Sequence, residues 1–371
     1  MKVLHVTISF GHGGRREAIS TLARGLQGLG IESHLCCLDG FDSDAAGMAA
    51  FGSAVALNRQ GLFDLGALGR LRAHCKALDI DMLHAHDAAS EAMCALAMPD
   101  TRTPLLMSFH RTRNFESARL RDRIRNAFVG LRVGAVVTAS LDRLRHYCET
   151  NYVSARKVRC IPLGIDLARF RPDAGLRSAL RARLGLSEHE RLVGAVGHFA
   201  PVKGIDNVLL AFQEFLRRRP DVPARLVVLG RGDPNDERRV HALVDPAFSD
   251  RIVFAGFQNR PEDWFPGFDA MLHGARAEAF GLVLAEAQAC GVPVAAARVG
   301  AIPEVIADGE TGRLAEPDSP TSLAIALEEI LCDPVRRAAM AAAAIERANR
   351  AFTVERYAEQ YCALYTQLVR Q

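Results

Sequence analysis

Short apolar, β-branched runs alternate with helical patterns along this chain, and the alternation runs through twice. In the first half, KVLHVTI, SHLCCL, DMLHA, PLLMSF and AVVTA read as strands. Helical patterns lie between them, as in REAISTLARGLQGLG, where Ile19, Leu22, Ala23 and Leu26 share one face and Gly30 marks the stop. KVRCIPL closes this first set, and GIDLARFRPDAG, punctuated by Gly and Pro, reads as a linker. The cycle then restarts with LVGAVG, ARLVVLG, RIVFAG, FDAML and PVAAA. Such alternation specifies α/β architecture with doubly wound parallel sheets. The expected organisation is a Rossmann-like domain over residues 1–165, a second over 166–351, and a helix over 352–371 that packs back on the first domain. Tyr357, Tyr361 and Tyr365, spaced i, i+4, i+8 on that last helix, read as a packing stripe.

A chain of 371 residues has the length for two such cores, and its 49% hydrophobic and 24% charged content is that of a globular protein. The segment MKVLHVTISF has Lys2 as its positive flank and is broken by His5, Thr7 and Ser9, so it reads as a first strand and not a signal peptide. The most apolar run, from Gly281, is interrupted by Glu286, Gln288 and Pro293 and cannot span a membrane. Nine cysteines without a C-x-x-C pair point to reduced thiols in a cytoplasmic protein, most of them buried. The net charge of +3 is unevenly spread: residues 1–165 hold 21 Lys and Arg against 15 Asp and Glu. The excess is densest where Arg111, Arg113, Arg119, Arg121, Arg123, Arg125 and Arg132 accumulate. That segment reads either as a solvated helix face or as a surface that meets anionic lipid or glycan at the inner face of the cytoplasmic membrane. Nucleic acid is not expected, because only Phe115 and Phe128 interleave with these seven arginines, too few to serve as a run of stacking platforms.

Two doubly wound sheets facing each other would share a cleft lined by the loops that follow their strands, so chemistry is sought there. GHGGRRE, after the first strand, is an amide-rich glycine turn opening a helix, suited to an anion. It departs from the nicotinamide fingerprint G-x-G-x-x-G at Arg16. His110 ends the strand PLLMSF, with Arg111 beside it. His84 and His86 lie two apart, on one face of their strand, and lack a third convergent ligand for zinc. In GHFAPVKG, Lys203 follows a strand and precedes a helix, where a cation would offset a diphosphate. The most specific segment is EAFGLVLAEAQACGVPV: Phe280, Gly281 and Leu282 form a turn that launches a helix whose first amides would face phosphate. Glu286 lies inside that helix and Glu278 before it. The stretch VGAIPEVIADGETGRLAEP reads as a loop, a short helix and a turn.

Taken in order, these residues resemble the retaining glycosyltransferases of family 4, which have the GT-B architecture. The matching pieces are Gly13-Gly14, His110, PLGID, PVKG, E-x-F-G-x4-E-A from Glu278, GVP, and G-x-x-P-E-V-I through DGETG. The resemblance implies that Glu286 binds a ribose, Glu278 contacts the transferred sugar, and His110 sits near the reacting centre. It implies that Lys203 and the amides near Gly281 and Leu282 hold the diphosphate, and that Gly13 and Gly14 admit the donor to the backbone. Uridine is the base it suggests, contacted by backbone near Gly256 and Phe257. Where many members carry arginine after the glycine of the third motif, this chain has His198; Arg276 or Arg16 is a candidate to supply the missing charge.

The implied activity is retaining, metal-independent transfer of a sugar from a nucleoside diphosphate sugar to a glycan or lipid-linked acceptor, in envelope polysaccharide or lipopolysaccharide synthesis. No cofactor and no metal ligand set is expected, and no D-x-D motif stands in a suitable loop. The donor base and sugar stay open. Two other readings use the same architecture: an epimerase of nucleotide sugars, and a glycan-binding protein without catalysis.

Overall fold

The computed structural model describes residues 1–11, 13–41, 48–61, 64–98, 103–110, 128–150 and 153–371. Arg111 and Arg113, with the rest of the basic segment as far as Arg125, lie outside the described residues. The chain divides into two compact units, one of residues 1–164 with 353–371 and one of residues 165–352.

The first unit carries seven strands: β1 (Lys2–Phe10), β2 (Glu32–Phe41), β3 (Ser53–Ala56), β4 (Met82–Ala85), β5 (Leu105–Phe109), β6 (Val133–Thr138) and β7 (Val158–Cys160). They pair in the order β3-β2-β1-β4-β5-β6-β7, every pair parallel. Their apolar runs are continuous and not alternating because helices cover both faces of a parallel sheet. The helix Gly14–Gly28 buries Ile19, Leu22, Ala23 and Leu26, the face read from its spacing. β3 escaped the sequence reading: it is an edge strand of four half-buried residues, too short to carry a period.

The helix Val354–Val369 belongs to this unit and packs on Gly14–Gly28. Its tyrosine stripe is buried, with Tyr357, Tyr361 and Tyr365 at most 2% exposed. Burial of such a ring stabilises by about 2 kcal/mol or more, provided its hydroxyl finds a partner. Tyr365 meets His84 Nδ1 at 2.7 Å, and Tyr361 meets Ser108 Oγ at 2.8 Å.

The second unit repeats the design with six parallel strands: β8 (Arg191–Val196), β9 (Ala224–Leu229), β10 (Ile252–Gly256), β11 (Ala270–His273), β12 (Val294–Ala297) and β13 (Gly312–Ala315). Their order is β10-β9-β8-β11-β12-β13. β13 corrects the sequence reading, which expected a turn there: Gly312–Ala315 pairs with Val294–Ala297 along its whole length. Glycine and arginine disguise it, and its strand character comes from that long-range pairing, which no local pattern carries. The core of this unit is one cluster around Val193, Val208, Phe212, Leu226, Leu272 and Leu327.

All nine cysteines are free, and Cys36, Cys37, Cys75, Cys94 and Cys290 are buried. Burial pushes the Cys75 thiol up to about 11, so it behaves as a small hydrophobe. No described helix is long and apolar enough to cross a membrane.

Candidate active site

In each sheet the strand order reverses once, between β1 and β4 and between β8 and β11. The loops that leave the carboxyl ends of these strand pairs are the usual ligand position in open α/β sheets.

In the second unit the loop after β8 carries His198 and Lys203, and the loop after β11 carries Arg276 and Glu278. The two loops meet. Lys203 Nζ donates to Glu278 Oε2 at 2.7 Å, and the amide of Arg276 donates to the carbonyl of Val202 at 2.9 Å. Gly204 makes this approach possible, since at φ 60° a Cβ there would stand 1.8 Å from the carbonyl oxygen of Gly274. Glu278 is 8% exposed, and His273 Nε2, at the end of β11, lies 3.5 Å from the same oxygen. Burial pushes the Glu278 carboxyl up, but His273 and the Lys203 charge outweigh it and hold it at about 2. It is therefore an anion paired with a cation that stays one-third exposed at 33%.

Glu278 precedes the helix Leu282–Ala289, and Gly281 is that helix's N-cap at φ 90°. With no side chain to cap it, the first turn keeps its amide dipole uncapped by any side chain. Phe280 packs edge-on against Phe352 at 5.7 Å and is 4% exposed, so its ring anchors the turn and its backbone is what the turn presents. Glu286 is buried one turn into the helix.

His198 is exposed, and its Nδ1 accepts the amide of Ala200 at 3.2 Å. With Nδ1 occupied as an acceptor, the ring's N–H is at Nε2, so a donor survives where the arginine that many members carry is missing. Arg276 cannot make up that charge. Asp206 takes it in a paired contact at 2.9 and 3.0 Å, and Asp318 lies 2.8 Å from its Nε. Arg231, which the sequence reading did not single out, is exposed over the ring of Phe257 at 5.3 Å, in the loop whose carbonyl receives the amide of Phe199.

In the first unit Gly13, at φ 134°, caps the helix Gly14–Gly28 without a side chain, and both Gly13 and Gly14 are exposed. Arg16 lies over the Phe10 ring at 5.7 Å. Asp87, at the end of β4, gathers the switch point: it accepts Thr7 Oγ1 at 2.9 Å and the amide of Ile8 at 2.7 Å, and Arg15 lies 3.6 Å away. His110, directly after β5, is half-buried. Burial and then the Arg15 charge push its imidazole down to about 4, so it is neutral at pH 7. Behind it lie His86, His84 and His5, all buried, and the rings of His84 and His86 are 4.0 Å apart, as two residues on one strand face should be.

The expectation that no third ligand converges on His84 and His86 is corrected. His5, from the neighbouring strand β1, brings one ring nitrogen of each of the three within 4.8 Å of the others. Parallel pairing places His5 directly beside His84, which spacing along the chain could not reveal. Both nitrogens of His84 are nevertheless spent on Tyr365 and Ser108, each at 2.7 Å. Among the described residues no carboxylate or thiolate joins the three, so the cluster fits a neutral hydrogen-bonded network better than a buried divalent charge. Arg132, the one arginine of the basic segment that is described, donates to the carbonyl of Met98.

A family model described as Glycosyltransferase Family 4 matches residues 12–169, and one described as Glycosyl transferases group 1 matches residues 177–347. The chain is 32% identical over 302 residues to D-inositol 3-phosphate glycosyltransferase of Thermobispora bispora, a match covering 76% of this chain and 70% of that one. The chain belongs to glycosyltransferase family 4. A second relative of the same name, from Rhodococcus jostii, is 36% identical over 59% of this chain but over only 48% of its own length. The crystal structure of Anabaena HepE in complex with UDP and glucose matches with a TM-score of 0.86 over 99% of both chains at 20% identity, which shows the fold. Of the residues that the family 4 resemblance pointed to, Lys203, Glu278, Gly281, Leu282 and Glu286 lie on the two loops and one helix that leave β8 and β11. Gly13, Gly14 and His110 lie at the strand ends of the first unit. His5 read only as a break in the first apolar run, and Asp87 and His273 were not singled out. The signal for each was a polar residue within or ending an otherwise apolar strand, which by itself also fits a satisfied core group.

Proposed function

We propose that this family 4 glycosyltransferase moves a sugar from a uridine diphosphate sugar to a glycan or lipid-linked acceptor with retention of anomeric configuration. The observation that carries this reading is the Lys203–Glu278 pair beside the uncapped helix at Gly281. A pyrophosphate placed there is offset by Lys203, by the first amides of the helix and by the Nε2–H of His198, while Glu286 reaches the ribose. As the bond between the anomeric carbon and the phosphate oxygen breaks, negative charge grows on the leaving group, and these fixed donors stabilise it without reorganising. The acceptor oxygen attacks the face that the diphosphate leaves, and its proton passes to a departing phosphate oxygen. In this reading Glu278, ionised and buried, takes the role the family resemblance gives it and accepts a hydroxyl of the transferred sugar, and neutral His110 is the hydrogen-bonding imidazole that the resemblance assigns to the reacting centre. The charge on the leaving group is met by protein cations, so turnover should be unchanged in a chelator.

The acceptor belongs, in this reading, to envelope polysaccharide synthesis at the cytoplasmic membrane face, on the strength of the arginine-dense sequence around Arg111 and Arg113. The two relatives act, by name, on D-inositol 3-phosphate, which makes an anionic polyol the first small acceptor to include. A panel of nucleotide sugars and acceptors, read by released nucleoside diphosphate, tests the reading. Release that depends on acceptor supports it. Conversion of the donor to an epimer without acceptor, or no turnover with any donor, would replace it with an isomerase or a binding protein.

A further inference from the structure

The three ring contacts that lead inward from His110 form a line. His110 Nε2 lies 3.3 Å from His86 Nδ1, His86 Nε2 lies 3.1 Å from His5 Nδ1, and His5 Nε2 lies 3.3 Å from Ser33 Oγ. Adjacent rings are close to coplanar, at 19° and 26°, with centroids 5.6 and 5.3 Å apart. That separation is the N···N distance plus two ring radii, so the rings meet edge to edge through their nitrogens and not face to face. His5 is 0% and His86 and Ser33 are 3% exposed, so water cannot take the place of a partner. His84 closes the side of this line with its own nitrogens held by Tyr365 and Ser108.

We propose that Ser33, His5, His86 and His110 act as one directional hydrogen-bond chain, in which His5 and His86 are positioning residues that couple the tautomer His110 presents to substrate to their own. A neutral imidazole has one donor and one acceptor nitrogen. His5 and His86 use both of theirs inside the chain, so neither can change tautomer alone. If His86 Nδ1–H donates to His110, its Nε2 must accept from His5 Nδ1–H, and His5 Nε2 must accept from the Ser33 hydroxyl. Reversing one link reverses them all. The geometry therefore demands that His5, His86 and His110 carry the proton on the same-named nitrogen. The outward nitrogen of His110 is thereby tied to the direction of the whole line, whose far end is the Ser33 hydroxyl.

The catalytic consequence rests on the reading that His110 meets the transferred sugar; the chain itself does not. The test is nitrogen-15 NMR of histidine-labelled full-length protein, free of substrate, in which two-bond proton–nitrogen couplings identify the protonated nitrogen of each ring. The expected result is one shared tautomer for His5, His86 and His110, and a mixed tautomer at His110 in His5→Phe. His5→Asn, whose amide stands where Nδ1 was, should restore a single form. Unlike tautomers in the wild type, an unmoved His110 signal in His5→Phe, or one equivalent of bound zinc by elemental analysis would each overturn the chain. Should His5→Phe fail to fold, Ser33→Ala removes only the terminal partner and reads the same signal. In turnover assays, His5→Phe should lower kcat about tenfold, as loss of an orienting partner does, with KM for the donor within about twofold. A changed tautomer with unchanged kcat would overturn the catalytic consequence while leaving the chain in place.

Discussion

Lys203 and Glu278 illustrate how one contact serves both stability and chemistry. Their 2.7 Å pair neutralises a carboxylate that is 8% exposed, while the ammonium keeps a face in solvent. Lys203→Ala should lower kcat by about a hundredfold or more, the scale of removing one fixed donor from a developing anion. It should also lower stability by about 3 kcal/mol, because an unpaired carboxylate is left buried. The double variant Lys203→Met with Glu278→Gln should recover most of that stability and none of the activity. Denaturation curves and initial rates on the three proteins decide this, and recovered turnover in the double variant would refute the assignment. Glu286→Ala, in the helix that follows Glu278, should cost orders of magnitude in turnover with little change in the melting curve. The sequence singled out Lys203, Glu278 and Glu286 because a lysine after one strand and two glutamates around a glycine turn are legible patterns. That Glu278 pairs with Lys203, 75 residues away, was not legible, because it depends on which strands are neighbours. His273 shares that cause: nothing local distinguishes it from any polar residue ending a strand.

At the scale of single elements, the helix Leu282–Ala289 depends on its glycine cap. Gly281→Ala forces a Cβ to within 2.8 Å of Leu284 Cδ1 and places alanine at φ 90°. The strain should cost about 1–3 kcal/mol and raise KM for the donor, measured by thermal melts and saturation kinetics. An unchanged melting temperature would show that the turn relaxes freely. The strands β1 and β4 carry a pH dependence of their own. Burial and then the His34 charge hold His5 down to about 3; burial and then the Arg15 charge hold His110 to about 4; His84 and His86 are also pushed well below the ordinary range, chiefly by burial. In the unfolded chain these rings titrate near ~6.5, so below that pH the unfolded state binds protons that the folded state refuses. Stability should therefore be complete above about pH 6.5 and fall as pH drops towards 4, by up to about 1.4 kcal/mol per pH unit for each such ring. Urea unfolding at stepped pH reads the slope, and a flat profile between pH 7 and 5 would contradict the neutral network. The sequence placed His84 and His86 on one face, and strand periodicity suffices for that. It could not place His5 against them, because pairing register is not a local property.

Across the molecule, two sheets whose strand orders agree over six strands, the first having one more at its edge, each put their glycine-bearing loops at a switch point, and this much was legible from a pattern that ran through twice. The edge strands β3 and β13 were not, being four residues each, β3 half-buried throughout and β13 buried only at its two ends. The basic segment containing Arg111 and Arg113 lies outside the described residues, and Arg132 at its end donates to the chain's own backbone. Sedimentation with vesicles should show binding to anionic lipid that weakens as salt rises, whereas equal binding to neutral vesicles would exclude electrostatic attachment. The loops leaving β8 and β11, with the helix Leu282–Ala289 that follows the second, are proposed to form a diphosphate site. Calorimetric titration of the full chain with uridine diphosphate tests it most directly. The account predicts one site per chain in the wild type and affinity weakened about tenfold or more in Lys203→Ala, as loss of a charge-assisted contact requires. No measurable binding, or equal affinity in the two proteins, would contradict it.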